Sequence, residues 1–193
     1  WRAAAAYRHI HTVHDIQLLH PSGLMLYGHE GMTRSLPARL YQALLRGLVP
    51  PRSLIIFPSK WIERIHLEYG FFTGNKRLAI SNPLNEDLAP AARPAALEGS
   101  ESRPTRFLFV GQIESHKGIE LLLEAFAALA EPRSLTVVGD GSLLAVLRER
   151  YSGQAVEFLG RRTKEEIRAL MERSDCFVVP SLCYENQPTV ILE

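Results

Sequence analysis

The sequence predicts an α/β protein with two parallel-sheet portions, and three observations support this prediction. Short apolar runs typical of buried strands alternate with segments that have helical periodicity. Most of these runs end at Gly or Pro, as strands do where they turn into loops. Apolar residues make up 46% and charged residues 22% of the 193 residues, which excludes a disordered or fibrous chain.

Charge and composition divide the chain into two parts. Residues 1–85 carry ten Lys or Arg and four Asp or Glu, whereas residues 86–193 carry twelve and seventeen. Residues 86–105 are rich in Ala, Pro, Ser and Glu, which is typical of a linker. We therefore predict the end of one Rossmann-like domain at 1–85, a linker at 86–105 and the start of a second such domain at 106–193. The net charge of +1 argues against nucleic acid as a partner.

The second part has the clearer pattern of elements. Its predicted strands and helices alternate, with strands at 106–110, 134–138, 155–159 and 176–179 and helices near 118–130, 143–147 and 163–171. Thr163 and Glu166 form a capping-box pattern at the start of the last helix. This alternation predicts a parallel sheet with helices on both faces.

The first part is similar but less regular. It contains predicted strands at 10–13, 53–57 and 77–80, a helix at 36–49, and a second helix that Ser59 begins and Gly70 ends. In the first helix Leu36, Leu40, Leu44 and Leu48 form a stripe with Arg34, Arg39 and Arg46 nearby. We interpret the stripe as the face that packs on the core. The alternative is a basic amphipathic helix that lies on anionic lipid.

Other features of the chain narrow the classes of protein that remain. No apolar run approaches the ~20 residues of a membrane span, and none has the form of a signal peptide. The two cysteines, Cys176 and Cys183, fit a reducing compartment and no zinc pattern, and the histidines lack a ligand spacing, so no metal is expected. The chain begins at Trp1 and stops at Glu193 within an apolar run, so we expect an inactive internal fragment of a longer protein.

Two loops that follow strands carry the candidate binding residues, because ligands of open α/β sheets bind at the carboxyl ends of the strands. The first loop runs from Gly111 to Gly118 and places Lys117 at the start of a helix. Glycine allows close backbone approach, and lysine supplies a point charge for phosphate. The alternative is a surface loop with a solvated lysine.

The second loop lies between two glutamates. Pro188 suits the first turn of a helix, so Glu185 precedes that helix and Glu193 lies inside it. The backbone N–H groups near Thr189 and Val190 would then face an anion between the two carboxylates. Glu193 could accept hydrogen bonds from a diol such as a ribose. The alternative is that both glutamates are solvated charges.

An ordered set of motifs resembles the retaining glycosyltransferases of family 4, which have the GT-B fold. Glu185 to Glu193 matches the family's E-x7-E motif, and VGQIESHKGIELLLEAF at 110–126 is similar to its glycine–lysine segment. LTVVGDG at 135–141 and SDCFVVPS at 174–181 follow in the family's order. In the first part, VHDIQLLHPSG at 13–23 and IIFPSKWIERIHLEYGFF at 55–72 resemble the end of the acceptor-side domain.

The resemblance implies a role for each candidate residue. Lys117, with Gly111 beside it, would bind the donor diphosphate, and the N–H groups of Thr189 and Val190 would hold its phosphates. Glu193 would bind the ribose. Glu185 would face the donor sugar, and His14 would point at that sugar from the acceptor side. The chain departs from the family by having Gln112 where Arg is common and Pro188 where Gly is common.

The expected function is therefore transfer of a hexose, with retention, from a nucleoside-diphosphate sugar to a hydroxyl of a glycan or glycolipid acceptor in cell-surface polysaccharide or glycolipid synthesis. No cofactor is expected beyond the donor substrate. The expected location is the cytoplasm. Peripheral contact with the cytoplasmic face of the membrane is a further alternative. The alternatives are a GT-B sugar-nucleotide epimerase and a non-catalytic nucleotide-binding protein of the same fold.

Overall fold

The computed structural model describes residues 9–83, 103–186 and 188–192, excluding the side chains of Thr189 and Leu192. The chain divides into two compact units. The first unit is Trp1–Asp87 with Cys183–Glu193, and the second unit is Leu88–Leu182. The segment from Cys183 onward thus packs with the first unit, whereas the sequence assigned it to the second domain. The domain boundaries stay predictions, and the linker proposed at 86–105 lies outside the described residues except for 103–105.

The first unit contains a three-stranded parallel sheet in the order β1-β2-β3. Its elements are β1 (Ile10–Thr12), α1 (Leu36–Arg46), β2 (Leu54–Phe57), α2 (Lys60–Glu68), β3 (Lys76–Ala79) and, near the end of the chain, α6 (Thr189–Leu192), with a 3-10 turn at Glu30–Arg34. The predicted cap of α2 is confirmed, since the Ser59 hydroxyl accepts a hydrogen bond from the Ile62 N–H. Gly70, at φ 76°, follows the helix end, as the sequence predicts.

The interpretation of the leucine stripe on α1 as a core face is wrong. The side chains of Leu36, Leu40 and Leu44 are 70%, 66% and 67% exposed. The helix instead buries Ala38 and Gln42. The Gln42 amide nitrogen donates to two carbonyl oxygens inside the unit, at 2.8 and 2.7 Å. Because its amide nitrogen has two partners there, a glutamine can be buried on the face opposite the leucine stripe.

The second unit contains a four-stranded parallel sheet in the order β6-β5-β4-β7. Its elements are β4 (Thr105–Val110), α3 (Ile119–Ala127), β5 (Arg133–Val138), α4 (Leu144–Arg150), β6 (Val156–Gly160), α5 (Lys164–Arg173) and β7 (Cys176–Phe177), with a 3-10 turn at Ser115–Lys117. The capping box of α5 is confirmed in both directions, from Thr163 to Glu166 and back. The strand β7 is shorter than the predicted 176–179 and pairs with β4 over two residues.

The carboxylate of Asp175 connects the segments at the start of the second sheet through hydrogen bonds. Asp175, just before β7, accepts hydrogen bonds from the guanidinium groups of Arg103 and Arg106 at 2.9–3.3 Å and from the Arg106 N–H at 2.9 Å. These bonds, first that of Arg103 and then that of Arg106, hold the pKa of Asp175 far below its usual value. The contacts join Arg103, which precedes β4, and Arg106, which lies in β4, to the start of β7, so these two adjacent strands share one anchor.

Candidate functional site

The carboxyl edge of the second sheet has the topology of a ligand-binding crevice. The strand β4 lies between β5 and β7, so the chain leaves β4 towards one side and reaches β7 on the other. In open α/β sheets such a reversal of strand order is where ligands bind. The loop after β4, which contains Gly111 and Lys117, and the loop after β7 flank this crevice within the second unit.

The loop after β4 approaches its neighbours so closely that two glycines are required. Gly118 has φ 71°, and a Cβ there would overlap the carbonyl oxygen of Pro180 in the loop after β7. Gly139 has φ 141°, and a Cβ there would overlap the carbonyl oxygen of Gly111. The Leu182 N–H also donates to the His116 carbonyl at 2.9 Å. The backbone around Lys117 is therefore fixed on two sides.

A carboxylate that the sequence analysis did not single out adds a third constraint. Glu114 accepts hydrogen bonds from the Ser142 N–H at 2.6 Å and from the Ser142 hydroxyl at 2.7 Å. These bonds, first that of the hydroxyl and then that of the N–H, lower the pKa of Glu114. They tie the loop after β4 to the loop after β5. No sequence signal identifies the pair, because the two residues belong to different loops.

Two of the predicted donor-binding residues, Lys117 and Gly111, lie in the second unit and differ in their contacts. Lys117 ends the 3-10 turn at Ser115–Lys117, is half-buried, and its N–H donates to the Glu114 carbonyl at 3.0 Å. The Gly111 N–H donates to the Val138 carbonyl at 3.0 Å, which extends the sheet ladder by one residue. The N–H of Gly111 is thus engaged in the sheet, and a Cβ on this residue would lie 3.2 Å from the Phe109 ring.

The predicted catalytic residues of the first unit are brought near one another through a neighbour. His14 follows β1 and is exposed, whereas Glu185 is half-buried. The Asn186 side-chain amide donates to the His14 carbonyl oxygen at 3.1 Å, so the segment that carries Glu185 contacts the loop that carries His14. A sulfur–oxygen contact of 3.9 Å joins Cys183 to a Glu185 carboxylate oxygen.

The helix between the two motif glutamates is present but short. The helix α6 spans Thr189–Leu192, and the Ile191 N–H donates to the Pro188 carbonyl at 3.1 Å. Val190 is half-buried. The Thr189 side chain and Glu193 lie outside the described part of the chain. The roles assigned to Thr189, Val190 and Glu193 therefore stay predictions, as do those of the other candidate residues.

The described part of the chain contains neither a candidate metal centre nor a candidate membrane span. No group of three or more His, Cys, Asp or Glu side chains in residues 9–83, 103–186 and 188–192 could hold a metal ion. None of the helices described there is both long enough and apolar enough to cross a membrane.

Comparison with known families and relatives points to glycosyltransferases. Residues 104–193, a little under half of the chain, match the family model described as glycosyl transferases group 1. A glycogen synthase of Mycobacterium tuberculosis is 34% identical over 114 residues, which are 53% of this chain and 27% of the relative. The D-rhamnosyltransferase WbpZ of Pseudomonas aeruginosa is 33% identical over 111 residues, 55% of this chain and 29% of the relative. The chain thus spans between a quarter and a third of these curated relatives.

Solved structures with the same fold cover nearly all of the chain. The Anabaena protein HepE in complex with UDP superposes with a TM-score of 0.68 and 19% identity, over 97% of this chain and half of HepE. Its complex with UDP-glucose gives the same TM-score and coverage. The lipopolysaccharide outer core galactosyltransferase WaaB gives a TM-score of 0.57 at 14% identity, over 83% of this chain and 58% of WaaB. The predicted fold class is therefore confirmed: the chain has the α/β architecture of GT-B glycosyltransferases, with parallel sheets.

Proposed function

We propose that the protein containing this chain is a retaining glycosyltransferase that moves a hexose from a nucleoside-diphosphate sugar to a hydroxyl of a glycan or glycolipid. The observation that carries the proposal is the family match at residues 104–193, because it includes both the Lys117 loop and the Glu185 segment. The names of the relatives, a glycogen synthase and a rhamnosyltransferase, and of the galactosyltransferase neighbour support sugar transfer. The UDP-glucose complex of HepE supports a nucleotide-sugar donor.

The proposed reaction breaks the bond between the sugar C1 and the leaving phosphate oxygen. The acceptor hydroxyl attacks C1 from the same face, and its proton passes to the leaving phosphate. Lys117 would stabilise the charge that grows on the diphosphate, assisted by the N–H groups of Thr189 and Val190. Gly111 would give the phosphates room, Glu193 would bind the ribose, and Glu185 and His14 would face the reacting sugar. The proposal needs no metal or other cofactor.

Lysine substitution tests the central step against a matched control. Lys117→Ala should lower turnover in the full-length protein about a hundred- to a thousandfold, the range for loss of one transition-state contact. Lys164→Ala is the control, because Lys164 is an exposed lysine of the same unit at the start of α5. Release of nucleoside diphosphate from a panel of donor sugars, with and without acceptor, is the measurement. Equal effects of the two substitutions would contradict the assigned role.

The same assay separates the two alternative functions. A sugar-nucleotide epimerase would convert the donor to its epimer without needing an acceptor. A non-catalytic nucleotide-binding protein would bind donor and release no nucleoside diphosphate. Release of nucleoside diphosphate that depends on the acceptor supports the transferase, provided that the glycosidic bond of the product has the same anomeric configuration as the donor. A product with the inverted configuration would contradict the retaining mechanism.

The exposed leucine stripe supports a second part of the proposal, peripheral contact with the cytoplasmic face of an anionic membrane that carries the acceptor. Three of its four leucines, Leu36, Leu40 and Leu44, are exposed, Leu48 is half-buried, and the exposed Met32 precedes the stripe by one turn. Residues 31–62 contain five Lys or Arg and no Asp or Glu. An apolar strip flanked by cations is the pattern of a helix that lies in a lipid interface.

Vesicle binding tests this contact independently of catalysis. The unmodified protein should bind phosphatidylcholine vesicles that contain phosphatidylglycerol, and added salt should weaken the binding. Replacing Leu36, Leu40 and Leu44 together with Gln should abolish it. Val146→Gln is the control, because Val146 is 62% exposed on α4 of the second unit. Binding that survives the triple substitution would refute the contact, and self-association that the substitution removes would assign the stripe to a second copy of the chain.

A further inference from the structure

Residues 183–186, which carry Glu185, dock on three separate segments of the first unit. Cys183 forms an antiparallel bridge with Leu26, and the Tyr184 N–H donates to the Met25 carbonyl at 2.9 Å. Leu26 and Cys183 therefore face each other as a non-hydrogen-bonded antiparallel pair. In such pairs the Cα atoms typically lie about 4.5 Å apart. The segment is therefore held in a defined register against residues 25–26.

Tyr184 adds an aromatic and a polar anchor. Its ring packs on Tyr27, with centroids 4.2 Å apart, and stacks on Trp61 at 5.6 Å with an interplanar angle of 4°. Its hydroxyl donates to a Glu30 carboxylate oxygen at 2.9 Å. The same oxygen accepts the Gly28 N–H at 3.0 Å, so Glu30 is itself fixed by the loop. Stacked aromatic pairs and a charge-assisted hydrogen bond both favour one orientation of the Tyr184 side chain.

Asn186 anchors the other side of Glu185. Its amide nitrogen donates to the His14 carbonyl at 3.1 Å, and its amide oxygen accepts the Ser59 hydroxyl at 2.7 Å. Ser59 is also the N-cap of α2, so the amide joins the loop after β1 to the start of a rigid helix. The residues on both sides of Glu185 are thus anchored through their side chains. One of them, Asn186, also contacts the loop that carries His14.

We infer that Tyr184 and Asn186 are positioning residues that hold Glu185 in register with the His14 loop, so that both candidate catalytic side chains are oriented by one docked segment. This inference rests on the proposed function. Positioning of this kind affects the rate of the chemical step more than donor affinity, because a misplacement of about 1 Å can lower the rate about a hundredfold.

An engineered disulfide tests the docking without any activity measurement. A disulfide needs Cα atoms about 4.4–6.8 Å apart, a range that a facing pair of this kind satisfies. Leu26→Cys, in a Cys176→Ser background, should therefore form a disulfide with Cys183 when diamide takes up the two thiol hydrogens and is reduced to its hydrazine. Peptide mapping by mass spectrometry identifies the link. Leu24→Cys is the register control, because Leu24 is exposed and lies outside the bridge.

Steady-state kinetics in the full-length protein test the positioning. Asn186→Ala should lower kcat for donor turnover by about tenfold or more, with the donor KM changing less than kcat. Tyr184→Phe, which keeps the ring and loses the hydroxyl, should lower kcat less than Tyr184→Leu. Tyr41→Phe is the matched control, because the Tyr41 hydroxyl bonds the Gln17 carbonyl at 2.9 Å elsewhere in the same unit.

The outcomes separate this inference from the proposed function. A disulfide to Cys183 from Leu26→Cys and not from Leu24→Cys, together with the kcat loss, supports the inference. Equal cross-linking at both positions, or none at Leu26→Cys, overturns the docking. Correct cross-linking with an unchanged kcat in Asn186→Ala overturns the positioning role alone. No turnover by the unmodified protein overturns the proposed function, and the positioning role with it, while the disulfide still decides the docking.

Discussion

Acid should destabilise the first unit through a single buried histidine, His66. Its side chain is fully buried beside the rings of Phe57, Phe71 and Phe72, whose centroids lie 5.9–6.1 Å from its own. Its Nδ1 lies 2.8 Å from the Ile62 carbonyl oxygen and is placed to donate to it, while Nε2 has no hydrogen-bond partner among the described residues. Burial lowers the pKa of His66 from 6.5 to about 4.

The size of the effect follows from the difference between the folded and unfolded pKa values. Between pH 6.5 and about pH 4 the unfolded chain binds a proton at His66 and the folded chain does not. The contribution of His66 to the free energy of unfolding is therefore fully present above pH 6.5 and is lost as the pH falls towards 4. Between pH 7 and pH 4.5 this linkage amounts to about 2 kcal/mol.

The matched variant is His66→Leu, which keeps an apolar side chain of similar size and cannot titrate. Urea unfolding would be followed by Trp61 emission in a Trp1→Phe background, because Trp61 lies on the same helix as His66. The free energy of unfolding of the parent should fall by about 2 kcal/mol more than that of His66→Leu between the two pH values. Carboxylates titrate in both proteins, so their effects cancel. Parallel pH profiles would refute the assignment.

Four further changes have predicted effects on the free energy of unfolding, each measured by urea titration. Asp175→Asn should destabilise the second unit by about 2 kcal/mol, because the two arginines that bond the carboxylate lose a charged acceptor. Gly118→Ala should cost more than about 1 kcal/mol, because φ is 71° and the new Cβ meets the Pro180 carbonyl. Gln42→Leu should destabilise the first unit by about 2 kcal/mol, because it leaves two buried carbonyls unpaired, whereas Leu40→Gln on the exposed face should change it by less than about 0.5 kcal/mol.

The elements of the fold were predictable because their signals are local. Mainly apolar runs at 106–110 and 134–138 correspond to β4 and β5, and the Thr163–Glu166 pattern marks the observed start of α5. Each of these signals depends on neighbours within a few positions along the chain. The short β7 shows the limit of such signals, because the length of a strand depends on its pairing partner as well as on its own apolar run.

The contacts that organise the candidate site were not predictable in the same way. Tyr184 and Glu30 are 154 positions apart, and Ser59 and Asn186 are 127 apart. Nothing in the spacing of these residues indicates that they meet. Resemblance to the family's motifs made Glu185 and His14 candidates, but the contacts that join their two segments arise from tertiary packing.

The misinterpreted helix α1 shows why an apolar stripe identifies a face but not what covers it. Leucines at every fourth position predict an amphipathic helix. They do not indicate whether its apolar face contacts water, a protein core or a membrane. The membrane contact stays a proposal, which the neighbouring charges support: Arg34 and Arg39 are exposed near the stripe, and no acidic residue follows until Glu63. The face opposite the stripe is the one that packs on the first unit, because Gln42 is buried there with both of its carbonyl partners. The helix therefore buries its polar Gln42 in the first unit and leaves Leu36, Leu40 and Leu44 exposed.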